Sequence, residues 1–403
     1  MDKVTSKVRA FYETYPYPPG GTVDCDGYHA RLLLSYIERS AGAGEKLHVL
    51  EAGCGRALNL QAAARLQPDI DFTGIDINRV AIREAQQAAS SEGLAHLRFA
   101  ESNLLAASSI PTVKSGYDLI LSYGVIHHLS DPLKGLIHLQ ENLATQGVIA
   151  LMVDGSYGRQ PLDRYRDVLT TLEGKEETAS SSLVTARALA RAAEHTLFKG
   201  NCWQGTAEVD EVEFADRCLH VHENSYDMDS LKQLLEAAGL RFIRWLEPAD
   251  WSIDRLLEEP SLRQLLSQQD AFQRYRLIER LCYRPKLTLV AAKQVADSRH
   301  ELSMADIAQT PFRLNPQVKT MSQESGGSSY QLRQQVPFEA ETLCERQVLA
   351  LTELSSSQLS GSQIANRLAE SGCSHDAVFS VLYELEAREL IYRPNTAFSE
   401  VTQ

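Results

Sequence analysis

The run Val49-Leu50-Glu51-Ala52-Gly53-Cys54-Gly55 constrains this chain more than any other feature. It reads as an apolar strand that ends in an acid and then two glycines, followed by a helix-like stretch from Asn59 to Leu66. Glycines at such a turn let the backbone approach a ligand closely, and the next helix offers unpaired N–H donors. A nucleotide-like ligand is implied. A third glycine in the dinucleotide spacing would fall where Leu58 stands. The turn therefore fits a nucleoside without phosphates better than a pyrophosphate. Glu51 points the same way, since a carboxylate repels phosphate but pairs with a cationic amine.

The pattern around this turn repeats as short β-rich runs separated by helix formers, which signals consecutive βα units and a parallel sheet. Expected strands are 47–51, 71–76, 97–100, 118–122 and 148–153, with later ones at 242–246 and 287–292. The sheet resumes after 157–228 and 248–284, so both stretches read as insertions, the first a cap over the sheet. The expected organisation is an α/β domain over 1–296, a linker over 297–336 centred on the polar run Thr320 to Ser329, and a small winged-helix-like domain over 337–403. At 403 residues the chain is too long for one small core.

Three further positions follow the glycine turn at the sheet's carboxyl edge, where ligands of open α/β folds bind. Asp76 closes the second strand, placed to accept hydrogen bonds from a ribose. Asn103 follows the third and offers a side-chain oxygen to an adenine amine. The fourth strand delivers Tyr123-Gly124-Val125-Ile126-His127-His128-Leu129-Ser130-Asp131-Pro132. If that segment is extended, adjacent His127 and His128 point to opposite sides and at most one faces the ligand. Either is a candidate for taking a proton from the acceptor.

Together these segments resemble class I S-adenosylmethionine-dependent methyltransferases, over roughly Phe11 to Lys293. The resemblance implies a Rossmann-like sheet of seven strands with the last antiparallel. It implies S-adenosylmethionine as cofactor, released as S-adenosylhomocysteine. Carried over by position, Glu51, Gly53 and Gly55 face the methionine moiety, Asp76 the ribose and Asn103 the adenine, with Cys54, Ile77, Leu104 and Tyr123 beside them. Phe11-Tyr12-Glu13-Thr14-Tyr15-Pro16-Tyr17-Pro18-Pro19 is similar to a segment of the branch that contains bacterial protein-lysine methyltransferases. On it Tyr17 is a candidate cofactor contact and Tyr15 a candidate catalytic group.

Charge and cysteine usage bound the partners. A net charge of −13 disfavours nucleic acid and anionic membranes and attracts cations. The terminal module carries five cations against nine anions between Gln331 and Pro394, so protein contact or self-association, such as a homodimer, suits it better than DNA. Seven scattered cysteines with no CxxC pair fit a reducing cytoplasm and no zinc site. Asp216, His220 and His222 lack a completing ligand, so no metal is expected. The N-terminus has no apolar signal segment. The expected reaction is N-methylation of an amine on a protein or peptide. A small-molecule acceptor and a non-catalytic S-adenosylmethionine sensor are the alternatives.

Overall fold

The computed structural model describes residues 1–19, 46–173, 183–295 except 247, 252 and 258, and 302–394 except 303, 316–317, 323–327, 333–342, 356 and 389. Cys25 lies outside them. A seven-stranded sheet in the order β3-β2-β1-β4-β5-β7-β6 forms the frame. Its strands are β1 (Leu47–Ala52), β2 (Ile70–Asp76), β3 (Leu97–Glu101), β4 (Tyr117–Tyr123), β5 (Leu143–Asp154), β6 (Leu240–Trp245) and β7 (Lys286–Lys293). The first five pair in parallel, and β7 runs antiparallel to β5 and β6.

Both faces of this sheet are covered, so its strands are apolar throughout and successive residues enter different cores. Val49, Leu119, Leu121, Val148 and Val290 pack on one face with Leu60 and Ala63 of α2 (Leu58–Leu66) and Ile82 and Ala85 of α3 (Arg79–Ser91). Leu50, Ile120, Ile149, Leu151 and Leu289 pack on the other. There they meet Leu136 and Leu139 of α4 (Pro132–Asn142). The helix α1 (Lys3–Thr14) precedes the sheet, capped by the Asp2 side chain on Thr5 N–H.

The stretch after β5 builds a separate cap core from α5 (Ser156–Glu173), α6 (Leu183–Ala193) and α7 (Glu211–Leu219). Leu162, Tyr165, Phe198, Trp203 and Phe214 fill it. After α8 (Met228–Ala237), the later insertion carries α9 (Pro260–Ser267) and α10 (Ala271–Leu281). Unlike the cap, it has no separate core: Trp251, Tyr275 and Ile278 join the second face of the sheet.

The terminal module contains α11 (Glu345–Leu354), α12 (Gly361–Ala369) and α13 (His375–Ala387), with β8 (Pro311–Leu314) central between β11 (Leu359–Ser360) and β12 (Ile391–Tyr392). A hairpin of β9 (Val318–Ser322) and β10 (Ser328–Leu332) lies between β8 and the helices in sequence. The expected linker needs correction here. Leu302, Ile307, Phe312 and Val318 pack in the same core as Leu351, Ile364 and Leu382. The polar run near 320–329 concealed the apolar residues just before it. The module meets the edge strand through Arg244, whose Nη1 lies 3.1 Å from Glu386 Oε1, while Arg393 Nε lies 3.4 Å from the same oxygen. No helix among the described residues is long and apolar enough to cross a membrane.

Candidate functional site

The strand order reverses between β1 and β4, and a cavity of about 490 Å³ opens there at the carboxyl edge of the sheet. Its first half is made by main-chain turns. Gly53 has φ +80° and Gly55 φ +51°. A Cβ at Gly53 would lie 2.2 Å from Val125 Cγ2, and one at Gly55 2.8 Å from the Tyr17 carbonyl oxygen. Both positions line the cavity and neither has room for a side chain. Gly53 and Cys54 N–H donate to the Ile75 carbonyl at 2.7 and 3.0 Å, which ties the turn to β2.

Asp76 accepts from Gly55 N–H at 2.8 Å and from Asn78 N–H at 2.7 Å. Burial raises its carboxyl above the ordinary value against those two donors. Glu51 lies behind the turn, buried, with Oε2 lacking a hydrogen-bond partner among the described residues. Burial and then the nearby Asp76 push its carboxyl up to about 8. Such an orphaned buried acid beside a turn closed to side chains is what a ligand with a cationic amino group would complete. The site fits the amino-acid end of S-adenosylmethionine.

Ile77, Asn103, Leu104, Tyr123 and Tyr17 all line this cavity. The geometry at Asn103 narrows the expectation. Its Oδ1 already accepts from Leu105 N–H at 3.0 Å, which uses one of that oxygen's two acceptor sites. His138 Nδ1 lies 2.7 Å from the Leu104 carbonyl oxygen and holds that loop against α4. Cys54 is also placed differently: its thiol is packed in the core on the α2 and α3 face and raised well above 9 by burial. It does not line the cavity.

The second half is made by side chains. His127 and His128 lie on a 3-10 turn over Ile126–His128 rather than an extended segment, so they do not alternate. Both are buried, both line the cavity, and their rings are 4.1 Å apart. His127 Nε2 is 3.5 Å from Asp154 Oδ2, at the end of β5. His128 Nδ1 lies 3.1 Å from the His222 carbonyl oxygen and therefore carries the proton, which leaves Nε2 as the acceptor. Burial lowers His128 to about 4 and His127 well below 6.5, so both stay neutral near pH 7.

From the cap, Arg159 reaches Asp154 at 3.1 Å and Glu223 at 2.7 Å, and Arg166 also pairs with Glu223. Despite burial, Arg166 and Arg159 hold Glu223 below the usual range. Burial, opposed by Arg159, raises Asp154 to about 7. Burial and then the Glu223 charge raise Asp216 to about 6. Tyr12 of α1 donates its hydroxyl to Asp216 Oδ1 at 3.1 Å.

Of the two tyrosines singled out on the aromatic–proline segment, Tyr17 lines the cavity and Tyr15 does not. Tyr15 ends α1, packs on Phe11 at 5.3 Å between ring centroids and does not line the cavity. Thr5, Val8 and Tyr12 do, at helical spacing, and that spacing was the signal that an extended reading of Phe11 to Pro19 hid. Asp154, Arg159, Asp216 and Glu223 had no usable local signal.

His128, His220 and Glu223 bring ligand-type atoms within 4.8 Å of one another. Glu223 is committed to two guanidiniums. His220 Nδ1 accepts from His222 N–H at 3.2 Å, which puts the proton of a neutral ring on Nε2, the atom a cation would need. The donor set does not suit a metal.

Residues 43–238 match a family model described as a methyltransferase domain. An uncharacterized protein of Synechococcus sp. is 29% identical over 299 residues, covering 70% of this chain and 69% of that one. A malonyl-[acyl-carrier protein] O-methyltransferase of Paenibacillus sp. is 25% identical over 173 residues, covering 39% of this chain and 62% of that one. Among solved structures, PKMT2 from Rickettsia typhi superposes with a TM-score of 0.66 at 16% identity, over 94% of this chain and 78% of that one. The same protein in complex with AdoHcy gives 0.64 at 14% identity, over 97% and 75%.

Proposed function

We propose that this chain, a class I S-adenosylmethionine-dependent methyltransferase, N-methylates a lysine side chain of a protein or peptide. One observation carries the reading. In and directly behind the cap half stand three carboxylates (Asp154, Asp216 and Glu223) and two guanidiniums (Arg159 and Arg166), while Glu213 and Arg217 pair with each other and Lys286 is exposed. A surplus negative charge in a low-dielectric site is relieved by an incoming ammonium and aggravated by a carboxylate acceptor. Burial first, and the Glu223 charge to a lesser degree, raise both Asp154 and Asp216.

When bound, S-adenosylmethionine supplies a methyl already activated by its sulfonium. The residues of this chain then have three tasks. The Gly53–Gly55 turn, Asp76 and the Asn103 loop orient the cofactor; α1 and the cap exclude water; and the cap carboxylates hold the acceptor in line. The incoming ammonium first loses one proton, and the lone pair this frees forms the new N–C bond as the S–C bond breaks, with the S–C electrons returning to sulfur. That proton passes to Asp154, whose value near 7 suits a base at neutral pH, with His127 beside it and His128 Nε2 as a neutral acceptor. Residues 302–394 would serve acceptor contact, since the net negative charge there opposes DNA.

The experiment is incubation of the full chain with methyl-labelled S-adenosylmethionine and host lysate, followed by hydrolysis of the precipitated protein. Label in methyl-lysine is expected. Label confined to small molecules would replace the protein acceptor by a free amine, which a cavity of this size also accommodates. Lack of turnover with any acceptor would leave the sensor reading.

A further inference from the structure

We propose that Tyr12 and Asp216 form a clamp for the acceptor nitrogen, a helix-borne hydroxyl and a cap-borne carboxylate that together select a nitrogen still carrying hydrogens. The proposal rests on the amine reading above and assigns the atoms that enforce it.

The clamp joins parts of the chain 204 positions apart. Tyr12 Oη donates to Asp216 Oδ1 at 3.1 Å, and both residues line the cavity. With its proton spent on Asp216, the hydroxyl keeps only lone pairs to offer a ligand, and the second carboxylate oxygen does the same. Two acceptors side by side match a nitrogen with two or more N–H bonds. They repel a carboxylate or phosphate oxygen.

The position along the cavity is right for this role. Tyr12 bonds Asp216 of the cap through its hydroxyl and Asn78 of the cofactor side through its carbonyl, so it stands at the junction of the two halves, with Asp216, Glu223 and Asp76 as the charges around its phenol. Burial and those three charges hold the phenol proton in place well above pH 10. The backbone of the same residue is anchored to the cofactor half: its carbonyl accepts from Asn78 Nδ2 at 2.9 Å, and Asn78 N–H donates to Asp76. Its ring is backed by His128 and His220, at 6.1 and 5.4 Å between centroids. Beside His128 lies an unmet polar atom. Nδ1 of the almost fully buried His127, which lines the same cavity, has no hydrogen-bond partner among the described residues.

The test does not require the natural acceptor. Sinefungin carries a protonated amine where the cofactor carries its sulfonium methyl, so it places an ammonium where the two halves meet. S-adenosylhomocysteine lacks that group. Calorimetry on the full chain should show sinefungin binding about tenfold more tightly than S-adenosylhomocysteine, the worth of one hydrogen bond to a charged group. Tyr12→Phe should cut that preference to about threefold, and Asp216→Asn, which keeps the tyrosine's acceptor but loses the charge, should abolish it. S-adenosylhomocysteine affinity should hold within about twofold in both variants, because the Tyr12 carbonyl contact survives the change.

Equal binding of the two ligands by the unaltered chain, or an undiminished preference in both variants, overturns the clamp. So does a collapse of S-adenosylhomocysteine affinity in Tyr12→Phe, which would make the tyrosine a structural part of the cofactor half. These outcomes are separate from failure of the amine reading itself, which shows as label on a group other than nitrogen.

Discussion

The cofactor half of the cavity is made of main chain and the cap half of side chains, and the two differ in how they can change. At the first, Gly53, Gly55, Asp76 and Asn78 are locked by backbone hydrogen bonds and by backbone conformations closed to most side chains. At the second, Arg159, Arg166, Glu223 and Asp154 are held by one another and Asp216 by Tyr12. A ligand that never varies suits the rigid main-chain frame. An acceptor that differs between enzymes suits a set of charges that substitution can rewrite while the sheet stays intact.

The largest effect should come from breaking the cap network. Glu223→Ala takes the carboxylate partner from Arg166 and leaves Arg159 with Asp154 alone, and denaturant titration should show about 3–5 kcal/mol of lost stability. A loss below about 1 kcal/mol would mean that water already screens the network and that the two halves are less different than their geometry implies.

Next comes the main-chain half. Asp76→Ala should weaken S-adenosylmethionine by about 1–3 kcal/mol through loss of ribose hydrogen bonds and of the anchor for Gly55 and Asn78. Unchanged affinity by calorimetry would remove Asp76 from the cofactor contacts.

Glu51 sharpens the contrast through pH. Its folded value is about 8 against an ordinary 4.5, so between those values the unfolded chain releases a proton that the folded chain keeps. Folding stability contributed by this group is therefore present at pH 5 and lost as pH rises toward 8. Melts at pH 5 and 8 should show Glu51→Gln sparing about 1–2 kcal/mol of that decline. Parallel pH profiles for the variant and the unaltered chain would show that Glu51 titrates normally.

The smallest effect is expected at Asn103→Asp. The carboxylate would strengthen the bond from Leu105 N–H while removing the side-chain NH2 as a donor, so affinity should change by less than about 1 kcal/mol. A larger loss would show the NH2 to be the main adenine contact.

What could be read in advance follows the range of the interactions. The strands at 47–51 and 118–122 were legible to within one residue at each end, because burial on both faces writes an apolar run. The linker was misjudged because Phe312 and Val318 show their apolar partners only after the chain folds back. Tyr15 was preferred to Tyr12 for the same reason. Only the helical spacing with Thr5 and Val8 separates two tyrosines three residues apart, and helix α1 turns one of them toward Asp216.

The sequence by itself determined the βα framework, the glycine turn and the acids that end the first two strands, since strand periodicity, turn chemistry and a strand-ending acid act over a few neighbouring residues. Tertiary structure alone decided the acceptor half. Residues 12, 154, 159, 216 and 223 become one electrostatic unit only when α1 and the cap close over the sheet. Their charges acquire shifted proton affinities from the burial and proximity that this closure creates.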